Sequence, residues 1–337
     1  MHAFVLSGSF GLENVSRVEL PSPKPGHGQV AVRVRAASLN YRDLLITRGW
    51  YNPKLNMPAA LGSDLAGEVI AVGPSVSRFK VGDRVTGCFF PGWTDGPVTD
   101  AKVKSSLGDG WQPGALSQEV VLPEDGLVAS PACLTDEECA TLPCAALTAW
   151  NALFEQSAIM PGETVLTLGT GGVSLFALQF AKAAGAKVII TSSQSDKLER
   201  AAKLGADVGI NYGTEPNWDG PVREHTGGIG ADHVIELGGA GTMATSIRAV
   251  KRGGTISLIG VLSGLGQIDP MPILMRSVLV KGIFVGSRAM FERMNRAIEM
   301  HSIKPVIGRV FPFEETPAAL AYMESGSHFG KLVIRVS

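Results

Sequence analysis

Cysteine and histidine are both scarce, with four and six residues in a chain of 337. Cys88, Cys133, Cys139 and Cys144 are too few to form a disulfide framework in a chain of this length, and they read as reduced thiols. An excess of either charge is missing too: 30 Lys and Arg stand against 31 Asp and Glu, a formal net charge of −1. That balance leaves no electrostatic footprint for nucleic acid or for an anionic membrane. No run approaches the roughly 18 consecutive apolar residues of a membrane span. Residues 1–10 lack the basic start and apolar stretch of a signal peptide. The expectation is a cytoplasmic protein with no nucleic-acid or membrane partner. No internal repeat of fixed period is visible, and the 41 glycines and 20 prolines are scattered, as in a globular chain with many tight turns.

What is present supports about two domains with sizeable cores, since 45% of the residues are hydrophobic. The first 125 residues look β-rich. Residues 30–37 (VAVRVRAA) alternate as a half-buried strand does. Residues 65–72, 84–88 and 119–123 give further strands, and residues 92–114, rich in Gly, Pro and Trp, predict a long surface loop. From about Pro143 the texture changes. Short apolar strands at 164–168, 187–191, 208–211, 232–236, 255–260 and 278–285 alternate with helices at 173–184 and 196–204. This alternation indicates βαβ units and a parallel sheet. The tail carries helices at 289–300 and about 315–324 and a strand at 331–336, and it is expected to fold back onto the N-terminal domain.

The strongest chemical signal is Gly169-Thr170-Gly171-Gly172-Val173-Ser174, which follows one strand directly and opens a helix. Glycines permit the sharp turn and let the backbone approach a pyrophosphate, and the helix N-terminus offers unpaired N–H groups to the anion. The strand–loop–helix–strand context gives the motif its weight. At the end of the second strand an acid would accept the ribose hydroxyls and repel a 2′-phosphate. Residues 190–197 (ITSSQSDK) carry no acid before Asp196, which reads as the N-cap of the next helix. Ser192 and Ser193 are suited to donate to a phosphate and Lys197 to reach it as a cation, so NADP is favoured over NAD. A solvated first-turn lysine is the alternative for Lys197.

Several segments together resemble the medium-chain dehydrogenase/reductase superfamily, in its quinone-oxidoreductase-like and zinc-independent alcohol-dehydrogenase-like branch. They are residues 38–43 (SLNYRD), 62–69 (GSDLAGEV), 81–85 (VGDRV), 142–150 (LPCAALTAW), the glycine loop, 203–207 (KLGAD) and 330–333 (GKLV). The resemblance implies α/β architecture: a GroES-like β-rich catalytic domain over 1–144, completed by 288–337, and a Rossmann domain with a doubly wound parallel sheet over 145–287. It implies an active site in the cleft between them. It also implies a homodimer or homotetramer joined edge to edge, with residues 281–285 as the joining strand.

The zinc-dependent branch needs Cys, His or acidic ligands at positions that here correspond to Asn40, Ser63 and Cys144, with Asp64 following Ser63. One thiol and a neutral amide do not make a catalytic zinc site, and the loop that would carry a structural zinc has no cysteine. Without a metal, hydrogen-bond donors must offset charge developing on a substrate oxygen. By resemblance and residue type, Asn40 and Tyr41 are the leading candidate catalytic residues, Tyr41 as a proton donor through tuning or a relay; Asp64 is a further candidate, either ordering the nicotinamide side or simply capping a turn. Arg42 and Asp43 read as a structural ion pair. Trp50, Tyr51 and Trp93 read either as walls for an apolar substrate or as loop anchors. The resemblance adds Thr148, Gly260, Arg288 and Lys331 to the glycine loop as cofactor contacts, although both cations admit a purely structural role. The leading reading is an NADPH-dependent reductase of a quinone, an enone or an activated carbonyl. A zinc-free alcohol dehydrogenase or ketone reductase is the second, and an NADPH-binding structural or regulatory protein with little turnover is the third.

Overall fold

The computed structural model describes residues 1–264 and 266–337. By its internal contacts the chain forms two compact units, Met1–Leu147 with Gly286–Ser337, and Thr148–Val285.

In the first unit the alternating strand Gln29–Ser38 is the organising element. It pairs antiparallel with Asp64–Val72, with Glu119–Pro123 and with the terminal strand Lys331–Arg335. The full sheet runs Ile307–Pro312, Lys331–Arg335, Gln29–Ser38, Asp64–Val72, Arg84–Gly87, Leu127–Ala129, with Glu119–Pro123 added on Gln29–Ser38. A smaller sheet joins Val15–Glu19, His2–Leu6 and Ala59–Ala60. Val30, Val32, Val34, Leu65, Val69, Leu116, Leu332 and Ile334 share one core, which removes their apolar surface from water. The tail therefore supplies two strands of the first unit's main sheet. The segment 92–114 is more ordered than a plain loop. It holds the short helix Asp100–Val103, and Lys102 Nζ donates to the carbonyls of Asp95 and Pro97, both at 2.7 Å.

The second unit is a six-stranded, wholly parallel sheet in the order Val208–Asn211, Lys187–Ser192, Thr164–Leu168, Ala231–Glu236, Val250–Leu258, Leu279–Gly282. Counted within the unit this is 3-2-1-4-5-6, the doubly wound order whose reversal lies between Thr164–Leu168 and Ala231–Glu236. Every residue of Thr164–Leu168 is buried, as in a parallel sheet covered on both faces. The helix Gly172–Ala183 packs on this strand and on Lys187–Ser192. The last strand ends at Gly282, so of the segment 281–285 only Lys281 and Gly282 belong to the edge. The helix after Ser192 starts at Ser195 with Gln194 as its N-cap; Asp196 lies in the first turn and does not cap it.

Leu166 is fully buried in the core of this unit with Ile189, Val234 and Ile256. Leu166→Ala should cost about 2–5 kcal/mol, the range for a buried leucine truncated in a packed core. Urea unfolding followed by circular dichroism measures it, and a loss under about 1 kcal/mol would contradict this packing.

Candidate functional site

Two groups of residues carry chemistry, one in each unit. In the second unit, Gly169 adopts φ +77°, a left-handed conformation that favours glycine, immediately after Thr164–Leu168. A Cβ added at Gly169 or Gly171 would meet nothing within 4 Å, so the loop faces open space through which a pyrophosphate can approach the backbone. The helix Gly172–Ala183 has Gly171 as N-cap and no side-chain capping bond, which leaves its first N–H groups for an anion. Thr170 is buried, and Gly172 and Val173 are half-buried in the first turn. Ser174 stands where a glycine or alanine is usual; it fits because it is fully buried with its hydroxyl donating to Leu168 O at 2.7 Å. These features fit a dinucleotide. Gly260 approaches Leu237 so closely that a Cβ would lie 2.0 Å from its carbonyl oxygen, so no other residue fits there. Thr148 is buried on the helical turn Leu147–Trp150.

Sequence reasoning missed Glu236. It is fully buried at the end of its strand and accepts from the N–H groups of Gly238 at 2.8 Å and Gly239 at 3.0 Å, and from the hydroxyls of Thr242 and Ser246. It fixes the turn into the helix Ala240–Ala249 at the carboxyl edge of the sheet. A lone Glu ending an apolar strand was its only signal.

Ser192 is buried and its hydroxyl accepts from Gln194 N at 3.2 Å, while Ser193 is exposed. Lys197 lies largely covered in the first turn of Ser195–Lys203, and burial pushes its ammonium below the usual lysine range. It is therefore no ordinary solvated lysine.

In the first unit three strand ends meet. Ser38 is in register with both Asp64 and Val333, and Leu39 N donates to Leu332 O at 3.0 Å. Gly330, at φ +77° and too close to Val306 O for any Cβ, turns the chain into the last strand. This arrangement brings Lys331 onto residues 292 positions away: its ammonium donates to Leu39 O at 2.6 Å and Asn40 Oδ1 at 2.5 Å. It also stands 3.6 Å from Asp64 Oδ2. Asn40 Nδ2 donates to Ser63 Oγ at 3.2 Å, Ser63 Oγ to Asp64 Oδ1 at 3.2 Å, and Ser38 Oγ to Asp64 Oδ2 at 3.1 Å. Asp64 is wholly buried. Burial raises its carboxyl, opposed by the Lys331 charge and by hydrogen bonds from Asn40, Ser38 and Ser63. Lys331, placed at the cofactor by resemblance, is thus buried and held by protein acceptors. Arg288 is likewise engaged, with Asp125 and, at 3.6 Å, Glu292.

Asn40 caps the helix Tyr41–Thr47, whose Asp43 accepts from Asn40 N at 2.8 Å. Tyr41, at the first position of this helix, is 39% exposed. Arg42 and Asp43 do not pair with each other. Arg42 donates to Leu107 O at 2.7 Å and Ser106 Oγ at 3.1 Å, and its guanidinium lies 4.8 Å from the ring centres of both Tyr51 and Phe89. Trp93 is a loop anchor, buried against Phe90 with its indole N–H on Gly96 O at 2.8 Å. Trp50 is exposed beside Arg48.

The donor set does not fit a catalytic zinc. Asn40 Oδ1 and the Asp64 carboxylate are both taken by a fixed ammonium, whose charge repels a second cation. Burial pushes the Cys144 thiol up to about 12, and a single thiol does not make a catalytic zinc site. Among the described residues, no group of three or more His, Cys, Asp or Glu is placed to hold a metal.

Two family models match the chain. Residues 26–132 match the alcohol dehydrogenase GroES-like domain and residues 172–300 the zinc-binding dehydrogenase domain. A zinc-type alcohol dehydrogenase-like protein of Schizosaccharomyces pombe is 46% identical over 94% of this chain and 93% of its own. The chain belongs to the medium-chain dehydrogenase/reductase superfamily. It is an oxidoreductase of the superfamily's zinc-independent alcohol dehydrogenase and quinone oxidoreductase branch, and the cofactor of this branch is a nicotinamide dinucleotide. Two solved members of the superfamily are similar over nearly their whole length. An NAD-dependent alcohol dehydrogenase is 36% identical with a TM-score of 0.91, covering 100% of both chains. The Escherichia coli quinone oxidoreductase complexed with NADPH is 26% identical with a TM-score of 0.86, again covering 100% of both. The zinc in the names of the matched domain and of the yeast relative does not carry over to a chain with Asn40 and Ser63 at the ligand positions.

Asp43 gives this site a pH signature. Burial raises its carboxyl from 3.8 to about 6, against the lowering effects of Asn40 N–H and the Arg42 charge. The folded state therefore holds the proton more tightly than the unfolded chain does. The stability this supplies is whole below about pH 4 and is lost as pH rises through about 6. Relative to Asp43→Asn, the parent chain should lose up to about 3 kcal/mol between pH 4 and 7, measured by urea unfolding across that range. Equal slopes for the two proteins would contradict the assignment.

Proposed function

We propose that this chain is an NADPH-dependent reductase that acts on a quinone, an enone or an activated carbonyl compound without zinc. The observation that carries this is the hydrogen-bond network of Asn40, Ser63, Asp64 and Lys331, which offers donors and a fixed internal cation where a metal site would need free ligands. Bound at the Gly169–Val173 loop, the nicotinamide dinucleotide supplies a hydride for an electrophilic carbon. Asn40 and Tyr41 are the donors for the oxygen that gains negative charge as that carbon is reduced. Asp64 is the buried counter-charge that holds the network together. The exposed Trp50, and Tyr51 at the Arg42 clamp, suit an apolar or aromatic substrate.

NADPH is preferred because Lys187–Ser192 ends in hydroxyls with no acid, followed by exposed Ser193 and by Lys197. The similar NAD-dependent alcohol dehydrogenase makes this preference the first point to test. A second reading, reduction of a ketone or oxidation of an alcohol, has its support in the alcohol dehydrogenases among the similar proteins. The proposed setting is cytoplasmic; among the described residues no helix is long and apolar enough to cross a membrane. A homodimer is part of the same proposal. Met271, Leu274 and Met275 are more than half exposed on the helix Met271–Arg276, and so is Leu279 on the edge strand that follows.

Nicotinamide fluorescence should show NADPH bound more tightly than NADH, and Lys197→Ala should weaken NADPH about tenfold with little change for NADH. Tighter NADH binding would overturn the cofactor assignment. Asn40→Ala should lower kcat toward 9,10-phenanthrenequinone or 1-octen-3-one about 10²-fold, the usual loss for one donor to a developing oxyanion. Product analysis of the enone separates reduction at C=C from reduction at C=O, and no turnover with either probe would contradict the function. In sedimentation, Leu274→Asp with Leu279→Asp should convert a dimer into the 35.4 kDa chain. An unchanged mass would contradict that interface.

A further inference from the structure

Lys331 is 4% exposed and faces three acceptors: Leu39 O at 2.6 Å, Asn40 Oδ1 at 2.5 Å and Asp64 Oδ2 at 3.6 Å. Two of its three N–H bonds go to Leu39 O and Asn40 Oδ1, and its charge is paired with the Asp64 carboxylate, so the ammonium is committed inside the protein. The chemistry of the pair also fixes a direction. An ammonium only donates, so the end of the Asn40 amide that faces it must be the carbonyl oxygen, and the NH2 must face the other way. There Asn40 Nδ2 donates to Ser63 Oγ at 3.2 Å. Ser63 is free to accept because its own proton goes to the Asp64 carboxylate at 3.2 Å, which as an anion only accepts. A cation at one end and an anion at the other thus set the sense of every hydrogen bond between them.

We propose that Lys331 is a positioning residue for the reduction: it locks the Asn40 amide so that NH2, and never the carbonyl, is presented for the reaction. The inference rests on the reading of Asn40 as a donor to the substrate oxygen. With an apolar side chain at 331, the two amide orientations become comparable in energy. The flipped one sets a carbonyl dipole against an oxygen that is gaining negative charge, which opposes the reaction. Lys331 acts through Asn40 and not on the cofactor, so its loss acts on kcat and leaves NADPH binding alone.

The test uses the full chain as Lys331→Met, and Lys331→Met with Asp64→Asn so that no unpaired charge is left buried should the single variant fold poorly. In protein labelled with 15N-asparagine, the Asn40 side-chain NH2 signals, assigned by their loss in Asn40→Asp, should shift or double. The NADPH Kd should stay within about twofold, and kcat with 9,10-phenanthrenequinone should fall about 10²-fold. Lys331→Met should add little to the loss already caused by Asn40→Ala, because both remove the same interaction. Unchanged Asn40 amide signals in the folded variants overturn the proposal. So does a tenfold or greater rise in the NADPH Kd, which would return Lys331 to the cofactor. Full turnover by Asn40→Ala is a separate failure: it overturns the reading of Asn40 as a donor, while the amide signals still decide whether Lys331 orients it.

Discussion

A buried charge pair, Lys331 with Asp64, is the constraint on which the site in the first unit depends. Both side chains are nearly or wholly out of water, at 5% and 0% exposure. Removing one partner of such a pair typically costs about 3–5 kcal/mol, because the other is left uncompensated. The remaining lone pairs and protons are satisfied by Ser38, Leu39, Asn40 and Ser63, the condition under which buried ions are tolerated. The pair exists only because the last strand of the chain lies beside Gln29–Ser38, which ties the completion of the fold to the formation of the site.

The Rossmann half was legible because its signals are local. Strand Val208–Asn211 has the bounds that its apolar pattern indicates, and the glycine loop sits between strand and helix as its motif requires. Edges were less legible: Val250–Leu258 begins five residues before the apolar run at 255, and the last strand ends three residues before 285. Asp196 looked like a helix cap by residue type, yet Gln194 holds that position and Ser192 accepts its N–H. Trp93 and Tyr51 could not be told apart from composition; tertiary contacts bury one under the loop and set the other at the Arg42 clamp.

Lys331 is the site residue whose surroundings were least legible by pattern. Its neighbours in sequence, Gly330 and Leu332, suggest a cofactor segment, while its partners lie at positions 39, 40 and 64. A contact spanning 292 residues leaves no periodic trace, so only the strand pairing reveals it. Arg42 and Asp43 show the reverse case. Adjacency invites an ion pair, but consecutive helical residues project in different directions, and each finds its partners elsewhere. The absence of zinc ligands was legible from residue type alone, and the structure adds the reason that the remaining donors are not available: a lysine already occupies them.

We propose that hydrogen-bond donors, with the Asn40 amide held by the internal Lys331 ammonium, do the work assigned to a metal elsewhere in the superfamily. The most direct measurement is turnover of protein stripped with a strong chelator, with metal content determined on the same sample by mass spectrometry. Undiminished NADPH-linked reduction with far less than one zinc per chain is the expected result. Activity lost on stripping and restored by stoichiometric zinc would contradict it.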